Sequence, residues 1–256
     1  MTNVILVGIN GKMGHVVCRM ASESSNVNIV CGVDVTAAPQ EEIPVYSSFD
    51  DVCENADVII DFSHPASLSS TLKYAAEKSL PCIIATTGFN EEQKLLMKKA
   101  SENIPIFFSA NMSLGINLLI DLAQKAARLL SDSFDIEIIE KHHNQKIDAP
   151  SGTALAIADA ISSCRDASSE YIFDRHSTRK KRSKNEIGIH SVRGGTIVGE
   201  HEVLFAGTDE MIELKHTACS KEIFAVGALK AAVFMKDKPS GLYSMNDLIN
   251  SKEGDF

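Results

Sequence analysis

The sequence predicts an α/β fold in two parts: a parallel sheet wound by helices, and an α+β part built on an open mixed sheet. Three observations carry that expectation. Through the first 112 residues, short continuous apolar runs alternate with segments of helical period, the pattern of βαβ units whose strands are buried on both faces. Over 133–141 and again over 187–218 the period drops to two, as in strands with one buried face. Residues 223–235 and 245–249 then return to helical spacing; too short for a third domain, they are expected to pack back on the first part. The expected domains are 1–112 completed by 222–256, with 113–221 inserted between them.

The first strand, residues 3–7 (NVILV), runs into Gly8, Ile9, Asn10, Gly11, Lys12, Met13 and Gly14, and then into an amphipathic helix. Strand, glycine turn and helix open a dinucleotide-binding, Rossmann-like domain, because small residues let the backbone approach a pyrophosphate at a helix N-terminus. The glycine frame is irregular. Ile9 fills the first place of GxGxxG, with Gly8 one residue earlier, and a plain tight turn would use the same residues. A second strand over 26–34 ends in Asp34, 20 residues beyond Gly14, where a carboxylate can accept hydrogen bonds from adenosine ribose hydroxyls. Alone, Asp34 would read as a strand-end turn aspartate. Val35 follows where an arginine would grip the 2′-phosphate of NADP, so NADH is favoured between NADH and NADPH, with Lys12 and His64 able to assist a phosphate. Further strands over 56–62, 81–88 and 104–111 alternate with helices over 66–76 and 91–102. Their C-terminal turns place Ala85, Thr86, Thr87, Ser109, Ala110, Asn111 and Met112 near the nicotinamide half of a dinucleotide, although any βα turn uses such residue types.

A helix over 118–130 leads out of the first domain. The densest chemistry follows in residues 140–154 (EKHHNQKIDAPSGTA), between the strand 133–141 and an alanine-rich helix over 155–161. His142 and Lys146 are candidate proton donors that could also hold an anion. Ser151, Gly152 and Thr153 stand where a helix starts, offering N–H groups and hydroxyls at its positive end to a carboxylate or phosphate. Singly, each has a plainer explanation as a hydrogen-bonded strand-end histidine, a solvated lysine or a helix cap. Together, two histidines, an ammonium and a helix start within 12 residues point to proton transfer and carboxylate binding beside a hydride donor. Residues 164–186 are polar and hold the one basic run, 175–184 (RHSTRKKRSK), expected as a solvated mobile loop, with a lid over an acidic substrate as the alternative. The strands 187–193, 196–205 and 211–218, joined by glycine-bearing turns, read as an antiparallel meander.

Composition narrows the function. A formal net charge of −9 argues against a nucleic-acid partner, and no apolar run approaches the length of a membrane span. The six cysteines form no CxxC pair, which fits a reducing compartment. The chain starts on a short apolar strand without a basic leader or cleavage site, so a cytoplasmic protein is expected. His142 and His143 would face opposite sides of a strand, and His190, His201 and His216 lie on different strands, so no metal site is expected. GxSxG is absent, which removes a nucleophile elbow and leaves hydride chemistry.

The stretch EKHHNQKIDAPSGTA resembles the signature E-x-H-H-x-x-K-x-D-x-P-S-G-T-A of the 4-hydroxy-tetrahydrodipicolinate reductase (dihydrodipicolinate reductase) family. Residues 8–14, 61–65, 85–89, 109–117 and 192–201 resemble further stretches of that family, so the likeness spans essentially the whole chain. It implies NAD(P)H-dependent reduction of a cyclic, unsaturated dicarboxylate on the diaminopimelate route to lysine, by a homotetramer joined through the second-domain sheets. By position, His142 would be the proton donor and acceptor and Lys146 the second donor. His143 would contact substrate, and Ser151, Gly152 and Thr153 would hold a carboxylate. Gly8, Ile9, Asn10, Gly11, Lys12, Met13 and Asp34, with the turns 85–87 and 109–112, would hold the cofactor. Val35, Ala85 and the basic loop depart from the family pattern. Two other readings stay open: an amino-acid dehydrogenase on the same nucleotide domain, such as an aspartate dehydrogenase, and a dinucleotide-sensing regulator.

Overall fold

The structure is a computed structural model that describes residues 1–40, 42–130, 133–165 and 168–251. Residues 166–167 of the polar stretch and 252–256 of the C-terminal segment lie outside the described residues. The chain opens with β1 (Thr2–Val7), α1 (Lys12–Ser22), β2 (Val27–Val33), β3 (Val45–Tyr46), β4 (Val58–Asp61), α2 (Leu68–Lys78), β5 (Cys82–Ile84), α3 (Glu91–Ala100) and β6 (Pro105–Phe108). It continues with α4 (Leu114–Leu130), β7 (Asp135–His142), α5 (Gly152–Ser162), β8 (Glu170–Ile172), β9 (Glu186–Arg193), β10 (Gly199–Ala206) and β11 (Met211–Ala218). It ends with α6 (Glu222–Met235), β12 (Gly241–Tyr243) and α7 (Met245–Ile249). Two compact units result, Met1–Leu114 with Glu222–Phe256, and Gly115–Lys221.

The first unit is a seven-stranded parallel sheet in the order β12-β6-β5-β4-β1-β2-β3. Its central strands are apolar over most of their length, and side chains alternate between faces, so each strand feeds two cores. Val4, Leu6, Val58, Ile60 and Ile83 pack on one face with α1, α6 and α7. Ile5, Val7, Ile59, Cys82 and Ile84 pack on the other with α2 and α3. Helix α6 is apolar around much of its girth and buries Ala225, Ala228, Leu229, Ala231, Ala232 and Met235, as a core helix does. β3 and β12 escape a reading of sequence pattern because two or three residues show no period.

The second unit is a five-stranded mixed sheet in the order β11-β10-β7-β9-β8. Here the expected meander is corrected. β10 pairs antiparallel with β11 and with β7, whereas β9 lies on the other side of β7 and parallel to it. A parallel pair needs a crossover connection, and the chain supplies one through α5 between β7 and β9. α5 buries Ala154, Ile157, Ala158 and Ile161, an i, i+3, i+4, i+7 stripe, against Ile136, Ile138, Ile187 and Val203 of the sheet. The basic run forms no helix or strand and is exposed at most positions, as a solvated loop is, while two of its arginines tie it to the sheet. Arg175 donates to Glu137 and Glu186, and Arg182 donates to Glu137, Asp135 and the backbone carbonyls of Ile136, Ser183 and Glu186, all within this unit.

Candidate active site

In the first unit the strand order reverses between β1 and β4, the place where open α/β sheets bind ligands. Gly8 ends β1 there with φ +80°, and a Cβ on it would lie 2.7 Å from the Phe62 carbonyl oxygen after β4. Only glycine fits both the conformation and the space. Gly8, Gly11, Asp34 and Val35 line a cavity of about 750 Å³ together with Ser63 and His64. Asp34 accepts the Asn10 N–H at 3.0 Å and the Thr36 N–H at 3.2 Å, so two of its roughly four lone-pair directions remain for hydroxyls.

The remaining cofactor candidates divide. The Ile9 side chain is fully buried and fills the space that Gly32 leaves empty, so it belongs to the core, and only its backbone borders the turn. Lys12 is exposed and Met13 half-buried at the start of α1, and neither lines the cavity. Ala85 and Met112 are buried and Thr87 is exposed. Thr86 donates to the buried carboxylate of Asp61, which also accepts from Ser63 and Thr71. Asp61 thereby ties together the turns after β4 and β5. Ser109 bonds to the Asn111 backbone, Asn111 accepts the Ser113 N–H, and Ala110 is exposed.

In the second unit the alternation of β7 carries the site. Ile136 and Ile138 point into the core, and the same face continues as Glu140 and His142. Glu140 is fully buried. Its Oε2 lies 2.6 Å from His142 Nδ1 and accepts Arg193 Nη1 at 2.7 Å, while Oε1 accepts Arg193 Nη2 at 2.7 Å and the Ser151 N–H at 3.1 Å. Burial pushes this carboxyl up, but hydrogen bonds from Arg193 and His142 and the charge of Arg193 outweigh it and hold it at about 2. On β10 the buried face reads Gly199, His201, Val203, Phe205. The His201 ring stands edge-on to His142 with centroids 5.1 Å apart. Desolvation, then the charges of His142, His216 and Lys146, bring His201 down to about 4 against the opposing pull of Glu140, so it stays neutral near pH 7.

Ser151 caps α5 by accepting the Ala154 N–H at 3.1 Å, and its hydroxyl lies 3.0 Å from His201 Nε2. Its side chain is buried, which makes it a holder of the helix start, with Gly152 exposed and Thr153 half-buried beside it. Lys146 pairs with Asp148 at 2.8 Å, and His143 is half-buried, its carbonyl accepting the Lys146 N–H. Sequence reasoning missed Glu140, Arg193 and His201. The period of two would have found Glu140 and His201, each a polar residue in the buried register of its strand. Among the described residues, no group of three or more His, Cys, Asp or Glu is placed to hold a metal ion.

A nucleotide-binding parallel sheet, and a second unit that sets a carboxylate-held imidazole and an ammonium at a helix start, define a two-domain NAD(P)H-dependent oxidoreductase. The family model described as dihydrodipicolinate reductase, N-terminus, matches residues 2–112, and the one described as dihydrodipicolinate reductase, C-terminus, matches residues 115–249. The chain belongs to the dihydrodipicolinate reductase family. It is 52% identical over 249 residues to a 4-hydroxy-tetrahydrodipicolinate reductase of Caldanaerobacter subterraneus subsp. tengcongensis, covering 97% of this chain and 98% of that one. Against the same enzyme of Clostridium tetani it is 50% identical over 251 residues, covering 98% of each. A solved dihydrodipicolinate reductase from Paenisporosarcina sp. TG-14, bound to dipicolinate, is 26% identical with a TM-score of 0.81, over 96% of this chain and 99% of that one.

Proposed function

We propose that this enzyme reduces 4-hydroxy-tetrahydrodipicolinate to tetrahydrodipicolinate with NADH or NADPH, on the diaminopimelate route to lysine. The observation that carries the reading is the β7–α5 connection, where a buried carboxylate fixes an imidazole and an ammonium precedes a capped helix start by a few residues. A cyclic dicarboxylate suits that set: cations and helix N–H groups for its carboxylates, and proton donors for its ring. Dipicolinate in the Paenisporosarcina structure is a ligand of the same class.

The first unit fits the cofactor, since Gly8 lets the backbone approach a pyrophosphate and Asp34 retains acceptor capacity for ribose. Bound NADH or NADPH supplies the hydride. Gly8 and Gly11 border the phosphates, and Asp34 orients the adenosine end. Gly152 and Thr153, with Ser151 holding their turn, receive a substrate carboxylate, and His143 adds a contact. The 4-hydroxyl leaves as water, and His142 and Lys146 deliver the proton that, with the hydride, completes the balance of the reduction. NADH is favoured because Val35, 96% exposed on the cavity, offers no charge to a 2′-phosphate. The enzyme works as a homotetramer in the cytoplasm.

One assay tests the reading: NADH oxidation with the product of dihydrodipicolinate synthase, compared with oxaloacetate plus ammonia. Turnover only with the second pair would mark an aspartate dehydrogenase, and turnover with neither would favour a sensor. Lys146→Ala should lower kcat by about 100-fold or more while NADH affinity stays within about twofold. Near-normal turnover would remove Lys146 from the chemistry.

A further inference from the structure

We infer that Glu140 is a positioning residue for His142: together with Arg193 and the Ser151 N–H, it holds the ring so that Nδ1 keeps its proton and Nε2, beside Gly199, exchanges the proton of the reaction. The inference rests on the reductase reading above for the role of His142, but its geometry stands independently.

The carboxylate of Glu140 has four directions of acceptance, and all four are taken. His142 and Arg193 share Oε2, while Arg193 and the Ser151 N–H share Oε1, at 2.6 to 3.1 Å. Arg193 is itself held, donating to the carbonyls of Asp148 at 2.6 Å and Val192 at 2.8 Å. A group bonded at every position cannot rotate, so its direction toward His142 is set by β9 and α5 as well as by β7. Burying a charged pair of this kind brings little net stability, which makes orientation the more telling consequence.

An ionised carboxylate only accepts hydrogen bonds, so the nitrogen facing it carries the proton. In the neutral ring this leaves Nε2 as the basic atom. A Cβ on Gly199 would stand 3.2 Å from that atom, so glycine keeps the approach to Nε2 open. The other groups around the ring do not compete. His201 on β10 is neutral and turned 73° to it, Arg193 on β9 is spent on Glu140, and Lys146 pairs with Asp148.

Two measurements test this. In the wild-type chain with 15N-labelled histidine, NMR should show neutral His142 with a protonated Nδ1 and a bare Nε2. An Nε2–H tautomer, or an even mixture, would overturn the inference whether or not the enzyme reduces the proposed substrate. In Glu140→Gln, kcat should fall about 10- to 100-fold and the alkaline limb of its pH profile, where the proton donor is lost, should move down by about one pH unit, with NADH binding unchanged. A loss of kcat with an unmoved limb would mean a merely structural part and would also overturn it. Should that variant not fold, Gly199→Ala decides alongside the wild-type spectrum: a methyl group beside Nε2 should cut kcat about tenfold, and full activity would count against Nε2 as the exchanging atom.

Discussion

At Gly8 the backbone of β1 turns with φ +80° within van der Waals range of the Phe62 carbonyl, and no side chain can share that space. Gly8→Ala should cost about 1–3 kcal/mol, read as a lowered melting temperature, and weaken NADH about tenfold or more in a fluorescence titration. Two residues away, Asn10 donates its N–H to Asp34, which couples the turn after β1 to the end of β2. The neighbouring Val35 is the point where cofactor preference can be moved. Val35→Arg should raise kcat/KM for NADPH by about tenfold relative to NADH, since one charge-assisted hydrogen bond to a phosphate is worth about 1.5–3 kcal/mol. An unchanged ratio would show that the phosphate is handled elsewhere on the cavity, His64 being one of its lining residues.

Among the elements, β7 has the heaviest duty. Its inward face serves core and site in turn, and its outward Glu137 gathers Arg175, Arg182 and His190. Together with buried Glu186 on β9, this acidic ladder fastens the basic run. The hydrogen bond from Arg175 leads in holding the Glu186 carboxyl at about 2. Arg182→Ala removes the donor to Glu137, Asp135 and the carbonyls of Ile136, Ser183 and Glu186, and should destabilise the fold by about 1–3 kcal/mol. Amide exchange over 175–184 should quicken in the same variant while NADH binding is unaffected. Exchange as slow as in wild type would show that Arg175 alone retains the segment. The basic run was legible as a charge cluster, but its acidic partners lie on two strands that the sequence does not reveal as neighbours.

For the whole molecule these groups set the acid side of stability. His201 binds a proton in the unfolded chain below about 6.5 but in the folded chain only below about 4, so the unfolded state gains protons first as pH falls. Its contribution is complete above 6.5 and is lost toward 4, at up to about 1.4 kcal/mol per pH unit. His216, lowered by burial, acts in the same direction. Glu140 and Glu186 stand at about 2 against an ordinary 4.5, so their stabilisation is present above 4.5 and lost from there toward 2. Urea unfolding should therefore give a flat stability above pH 7, a decline through pH 6 and 5, and a steeper one below 4.5. His201→Gln should flatten the upper part of that decline; an unaltered slope would mean that the ring is not buried neutral.

The sequence by itself determined whatever depends on near neighbours. The order of strands and helices, the glycine turn leading to Asp34, and the cluster of His142, Lys146 and the α5 start are all written in local period and spacing. The tertiary structure decided what depends on partners far along the chain. A period of two states which face a strand buries but is the same for parallel and antiparallel pairing, so only the packed sheet put β9 parallel to β7. Ile9 lies in a cofactor turn by sequence, yet the empty space at Gly32 draws it into the core. Arg193 reaches Glu140 across 53 residues of chain, and that pairing, invisible in either segment alone, gives His142 its direction.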